Sequence, residues 1–165
     1  MAILKVLGSS SEGNSYVLEC KDETLVIELG VKWNEILKTL NYDLKSLVGC
    51  LCTHKHQDHS LSIPNAIKYA VDVYSCADVQ TIHSKVKVLS KGVKTQIGGF
   101  KVQPVDMFHS VECYGFLIEH QECGRIVFCT DTSKIPYRFK NIQHFIVEAN
   151  YDADIVLNCL KPVTE

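Results

Sequence analysis

The sequence predicts a single α+β domain spanning residues 1–165, on three observations. Short apolar runs with the alternation of strands recur along the chain, at about 3–7, 16–20, 24–28, 47–52, 71–76, 100–105, 114–119, 125–129 and 144–149. Between some of them lie segments whose apolar residues fall at helical spacing. A hydrophobic content of 46% in 165 residues is enough for one real core.

The elements follow in order. Residues 3–7 form a short strand that ends in a loop, Gly8-Ser9-Ser10-Ser11-Glu12-Gly13-Asn14-Ser15. Strands 16–20 and 24–28 make a hairpin around Lys21-Asp22-Glu23. Residues 31–40 read as a helix with Trp33, Ile36, Leu37 and Leu40 on one stripe, broken by Asn41-Tyr42-Asp43. Strand 47–52 is compact and apolar, as a buried strand should be. Leu61, Ile63, Ala66, Ile67 and Ala70 then predict a helix from Ser60 to about Ala70. A strand at 71–76 and a short helix at 77–84 follow. Lys85, Lys87, Lys91 and Lys94 mark a solvated strand face, with a phosphate-attracting rim as the minority reading. His83, His120 and His144 read as surface residues.

Between the buried strand 47–52 and the helix lies Thr53-His54-Lys55-His56-Gln57-Asp58-His59. Three of the chain's seven histidines fall within six positions there. On an extended backbone His54 and His56 point the same way, and Asp58 and His59 can turn toward a neighbouring point. Imidazole and carboxylate together suit zinc, and also iron or manganese, so the tract predicts a metal site.

Bulk properties exclude several classes. A net charge of -2 and a pI of about 6.4 argue against a chain that binds nucleic acid through a broadly basic surface. No run approaches the roughly 18 apolar residues of a membrane span. The opening Met1-Ala2-Ile3-Leu4-Lys5-Val6 has a strand pattern and no signal-peptide layout, so the expected location is the cytoplasm. The eight cysteines contain no C-x-x-C pair and sit mostly in apolar runs, which predicts buried free thiols.

The order His-x-His-x-Asp-His between a buried strand and a helix resembles the motif of the metallo-β-lactamase-fold hydrolases. The stretch Gly-Ser-Ser-Ser-Glu-Gly-Asn-Ser, followed by two strands, is similar to the opening of one branch, an exonuclease-like group associated with cell-wall two-component signalling. Phe108-His109 and Phe128-Cys129-Thr130-Asp131-Thr132 match the family's next two ligand positions, and Glu148-Ala149-Asn150-Tyr151-Asp152 again resembles that branch. The resemblance implies an αββα sandwich. It implies a first metal held by His54, His56 and His109 and a second held by Asp58 and His59, with Asp131 bridging them. One or two zinc ions are expected, with manganese or iron as alternatives. Asp58 would also orient the attacking water or shuttle its proton. The implied activity is metal-dependent hydrolysis of a phosphodiester, in nucleic acid or a small nucleotide. The alternatives are carboxyl-ester, lactone or thioester hydrolysis, or a non-catalytic metal-binding or interaction module.

Four departures accompany the resemblance. Glu28-Leu29-Gly30 stands where Asp-x-Gly is common, placing a longer carboxylate that can support the site without ligating. Ser60-Leu61-Ser62-Ile63 replaces a usual glycine, and Ser110 an aspartate. No histidine follows His144. The fold is therefore expected to be shortened at its C-terminus, as a compact version, a chain completed by a partner, or a truncated product. An open sheet edge of this kind predicts a homo-oligomer that covers it.

Overall fold

In the computed structural model, which describes residues 1–148, the strand-like runs assemble into two sheets. The first has the order β1 (Ile3–Ser10), β2 (Gly13–Cys20), β3 (Glu23–Ile27), β4 (Leu47–Leu51), β5 (Val73–Ser75) and β6 (Lys87–Val88). Its hairpin strands β1 to β3 are antiparallel, and β3 to β6 pair in parallel. The second sheet has the order β11 (His144–Val147), β10 (Gly124–Cys129), β9 (Tyr114–His120), β8 (Phe100–Asp106) and β7 (Thr95–Ile97). There β11 runs parallel to β10 and the other pairs are antiparallel.

Strands β2 and β3 are buried along almost their whole length, the pattern of strands covered on both faces. Phe100, Phe116 and Phe128 of the second sheet are fully buried, and the Phe128 ring meets Tyr16 of β2 edge-on at 5.2 Å. That contact joins the two sheets through a single apolar core. Among the described residues, the four helices α1 (Trp33–Thr39), α2 (Gln57–Ser60), α3 (Ile63–Lys68) and α4 (Ala77–Ile82) all connect strands of the first sheet.

Four elements differ from the sequence prediction. The Gly/Ser/Asn stretch 8–15 is no free loop: it completes β1, turns at Ser11-Glu12 and opens β2. Helix α1 starts at Trp33 rather than 31, and it ends where Asn41 and Tyr42 take left-handed φ values of 51° and 57°. The helix expected from Ser60 to about Ala70 is the shorter α3, and a separate single turn, α2, precedes it inside the histidine tract. Pro64 lies in the first turn of α3, and the Ser62 N–H donates to the Leu29 carbonyl at 2.8 Å. The short strand β7 was not foreseen. The end of the expected last strand and the string Ala149-Asn150-Tyr151-Asp152 lie outside the described residues.

The seven cysteines among the described residues are buried and free, as read from the sequence. No helix among the described residues is long and apolar enough to cross a membrane.

Candidate metal centre

Four strand ends converge on one point. Strand β4 runs into His54 and His56, with α2 supplying Asp58 and His59. Strand β8 leads to His109, β10 to Asp131, and β3 to Glu28. Such termini let loops place side chains on a rigid scaffold.

Six residues singled out in the sequence come together. His56 Nδ1 lies 3.0 Å from His54 Nε2 and 3.1 Å from His109 Nε2. Asp131 Oδ2 lies 3.4 Å from His54 Nε2 and 3.6 Å from His109 Nε2. The same oxygen is 3.3 Å from His59 Nε2, which is 3.3 Å from Asp58 Oδ2. His54, His56, His109 and Asp131 thus form one potential metal-holding group, and Asp58, His59 and Asp131 a second. Zinc bonds of about 2.0–2.1 Å in a tetrahedral shell set neighbouring ligand atoms roughly 3.3 Å apart. The observed separations of 3.0–3.6 Å therefore fit a cation at the centre of each group.

The surroundings fix these rings. Thr53 Oγ1 sits 2.9 Å from His54 Nδ1, leaving Nε2 toward the centre. Glu28 is fully buried, accepts the Thr53 N–H at Oε2 (3.3 Å), and turns Oε1 to His59 Nδ1 at 3.5 Å. Asn14 Nδ2 donates to the Ser10 carbonyl and lies 3.3 Å from His59 Nε2. Glu148 accepts hydrogen bonds from the Thr130 hydroxyl and from the Asp131 N–H (3.3 Å). Glu28 and Asp131 both hold left-handed backbones, at φ 67° and 46°, which is uncommon for residues other than glycine and clusters at functional sites.

Sequence reasoning gave Glu28 a supporting part and, through the family resemblance, placed the string that opens with Glu148 beneath the site, but missed Asn14, Thr53 and Thr130 as site residues. Asn14 lay within the noted Gly/Ser/Asn stretch, the one signal that pointed to it. Gly30 is also part of the site. A Cβ there would fall 1.5 Å from the Asp58 carbonyl oxygen, so the close passage of α2 demands glycine.

The electrostatics follow from burial and from the carboxylates. Burial, with His59, His109 and His56 close by, lowers His54 to about 2, so it stays neutral with a free lone pair. Burial also lowers His109, helped by His56 and His59. Burial acts on His59 in the same direction, but Glu28, Asp131 and Asp58 outweigh it and raise that ring to about 9. A proton there occupies the place among carboxylates that a cation would take. Burial, together with Glu148, raises Asp131 to about 6, while hydrogen bonds from Thr130 and Asp131 outweigh burial and lower Glu148.

Beside this cluster opens a cleft of about 500 Å³ lined by Phe108, His109, Ser110, Asp131 and Ser133. The Phe108 ring is exposed at its rim, with Lys134 Nζ 4.1 Å from the ring centre.

Solved structures share this architecture. The metallo-β-lactamase fold protein YhfI from Bacillus subtilis superposes with a TM-score of 0.71 at 20% identity, covering 92% of this chain and 72% of that one. The chain has the metallo-β-lactamase fold. A diphosphatase from the PhnP family shares that fold at a TM-score of 0.59 and 18% identity, covering 82% of this chain and 68% of that one. The short form of human tRNase Z gives 0.57 and 15%, covering 77% and 67%. In sequence, the chain is 26% identical over 170 residues to exodeoxyribonuclease WalJ of Streptococcus pneumoniae, in strains D39 and R6 alike. The match covers 92% of this chain and 63% of the relative, so the chain spans less than two thirds of the length of these curated relatives. No family model matches the chain.

Proposed function

We propose that this metallo-β-lactamase-fold chain is a metal-dependent hydrolase of phosphodiesters, of the nuclease or phosphodiesterase type. The observation that carries the proposal is Asp131 Oδ2. One carboxylate oxygen lies 3.3–3.6 Å from imidazoles of both histidine groups, the position of a bridging ligand between two cations.

His54, His56 and His109 would hold one cation, Asp58 and His59 a second, with Asp131 shared. Zinc, manganese and iron all suit these donors. When bound, such cations supply Lewis acidity, acidifying a water and polarising the oxygen under attack. Asp58, about 30% exposed, would orient an attacking water or take its proton. Thr53, Glu28 and Glu148 keep the rings and Asp131 from rotating away.

Three features support a phosphodiester substrate. Lys134 at the rim attracts an anion, and the exposed Phe108 ring offers a stacking face for a base. The likeness to WalJ and to a PhnP-family diphosphatase points the same way.

The experiment is turnover of bis-nitrophenyl phosphate and of end-labelled DNA by the zinc- or manganese-loaded chain, beside its Asp58→Ala variant. Hydrolysis by the wild type and its loss in the variant is expected. Turnover of a thioester or lactone but of no phosphodiester would reassign the substrate. Bound metal without any turnover would make the chain a binding module.

A further inference from the structure

At the opposite end of the strands from the histidine cluster, two tight turns from different sheets press together. One joins β2 to β3 and is flanked by Cys20 and Glu23. The other joins β9 to β10 and is flanked by His120, with Cys123 in the turn itself. The Lys21 N–H donates to Glu122 Oε2 at 3.1 Å and clasps the two turns, while the Gly99 N–H of the neighbouring β7–β8 turn donates to Glu23 Oε2.

Cys20 Sγ, Cys123 Sγ and an imidazole nitrogen of His120 lie within 4.8 Å of one another. Both thiols are buried, at 6% and 8% exposure. The His120 ring is stacked on Phe100, centroids 4.5 Å apart, which holds its plane. Its Nδ1 accepts the Glu122 N–H at 3.2 Å, and its Nε2 stands 4.0 Å from Glu23 Oε2. An open cleft of about 660 Å³, lined in part by Glu23, His120 and Glu122, reaches the imidazole from outside and brings two carboxylates to the mouth.

We propose that Cys20, Cys123 and His120 form a second, structural site for a soft divalent cation of the zinc type, with Glu23 closing the shell. Two thiolates and an imidazole are the donor set of closed zinc sites, and a pair of tight turns is a compact way to present them. Burial pushes Cys20 up to about 12 and Cys123 upward, so both are neutral thiols until a cation displaces their protons.

The position gives the site a purpose. Strand β3 carries Cys20's partner Glu23 at one end and leads to Glu28 at the other. Strand β10 begins beside Cys123 and leads to Asp131. A cation here would pin both strands roughly 15–20 Å from the histidine cluster, the length of a five- or six-residue strand. It would hold the two sheets together without touching substrate.

Among the described residues the histidine cluster contains no thiol donor on its inner side. Cys113 Sγ lies 3.7 Å from His54 Nδ1, the nitrogen turned away from the centre, and Cys52 Sγ faces the backbone carbonyls of His54 and His59. A thiolate-to-cobalt charge-transfer band therefore reports the second site alone. The test is cobalt(II) titration of the reduced full chain. The wild type should develop that band, His56→Ala should keep it, and Cys123→Ser should lose it together with one cobalt equivalent while retaining the cobalt bound at the histidine cluster. A wild type without the band overturns the proposal even if Cys123→Ser does not fold. So does a band that survives both Cys20→Ser and Cys123→Ser. Isolation of the untreated chain with Cys20 and Cys123 as a disulfide would overturn it as well.

Discussion

Glu28 Oε1 and His59 Nδ1 face each other at 3.5 Å, both fully buried, and neither atom has another hydrogen-bond partner among the described residues. A buried carboxylate so placed has one evident use, which is to hold the imidazole with Nε2 turned to the centre and raise its basicity. Glu28→Gln keeps the shape and removes the charge. It should lower affinity for the cation held by Asp58 and His59 by about 10–100-fold, with the fold retained. Calorimetric zinc titration against wild type checks this, and an unchanged binding curve would leave Glu28 a purely structural residue.

The same pair predicts a pH dependence of the metal-free chain. His59 has a folded pKa of about 9 against an ordinary 6.5, so the folded state holds the proton more tightly. Its contribution to stability is full below 6.5 and is lost as pH rises from 6.5 to about 9. Urea unfolding in chelator across this window should show wild-type stability falling relative to His59→Gln. Parallel curves for the two proteins would contradict the assignment.

Gly30 tests how closely α2 must pass. A Cβ at that position would begin 1.5 Å from the Asp58 carbonyl oxygen, which is backbone and has little room to yield. Gly30→Ala should displace Asp58 and His59, cost about 1–3 kcal/mol or more of stability, and abolish binding of the second cation. Thermal unfolding with metal analysis reads both effects.

Asp131 separates a shared ligand from an ordinary one. Asp131→Ala should weaken both cation equivalents, whereas Asp58→Ala should weaken only one, because only Asp131 Oδ2 lies against both histidine groups. Equilibrium dialysis with zinc counts the equivalents. Loss of a single equivalent in Asp131→Ala would remove the bridge.

These residues also show how far the sequence could be read. His54, His56, Asp58 and His59 were legible because a short tract between a strand and a helix concentrates their spacing. His109 and Asp131 were legible only through the family resemblance, since a lone histidine or aspartate after a strand carries little signal. Asn14 acts through a contact between segments 45 residues apart, with His59, which no local pattern encodes, and Glu148 was marked only by the family resemblance. His120 was read as surface because it ends a strand. Its stacking on Phe100 and its closeness to Cys20 come from packing that periodicity does not describe. Pro64 was the visible sign that the helix after the histidine tract starts late, at Ile63, but the apolar spacing ran through it. The two-sheet architecture was better marked, since strands such as β2 and β3 are apolar enough to be covered on both faces.

The most direct test is anomalous diffraction from crystals of the zinc-loaded chain. The account predicts a strong peak about 2.0–2.2 Å from His54 Nε2, His56 Nδ1, His109 Nε2 and Asp131 Oδ2, with a second, weaker one beside Asp58 and His59. Density showing these four atoms with no ion between them, in protein that binds zinc elsewhere or not at all, would contradict it.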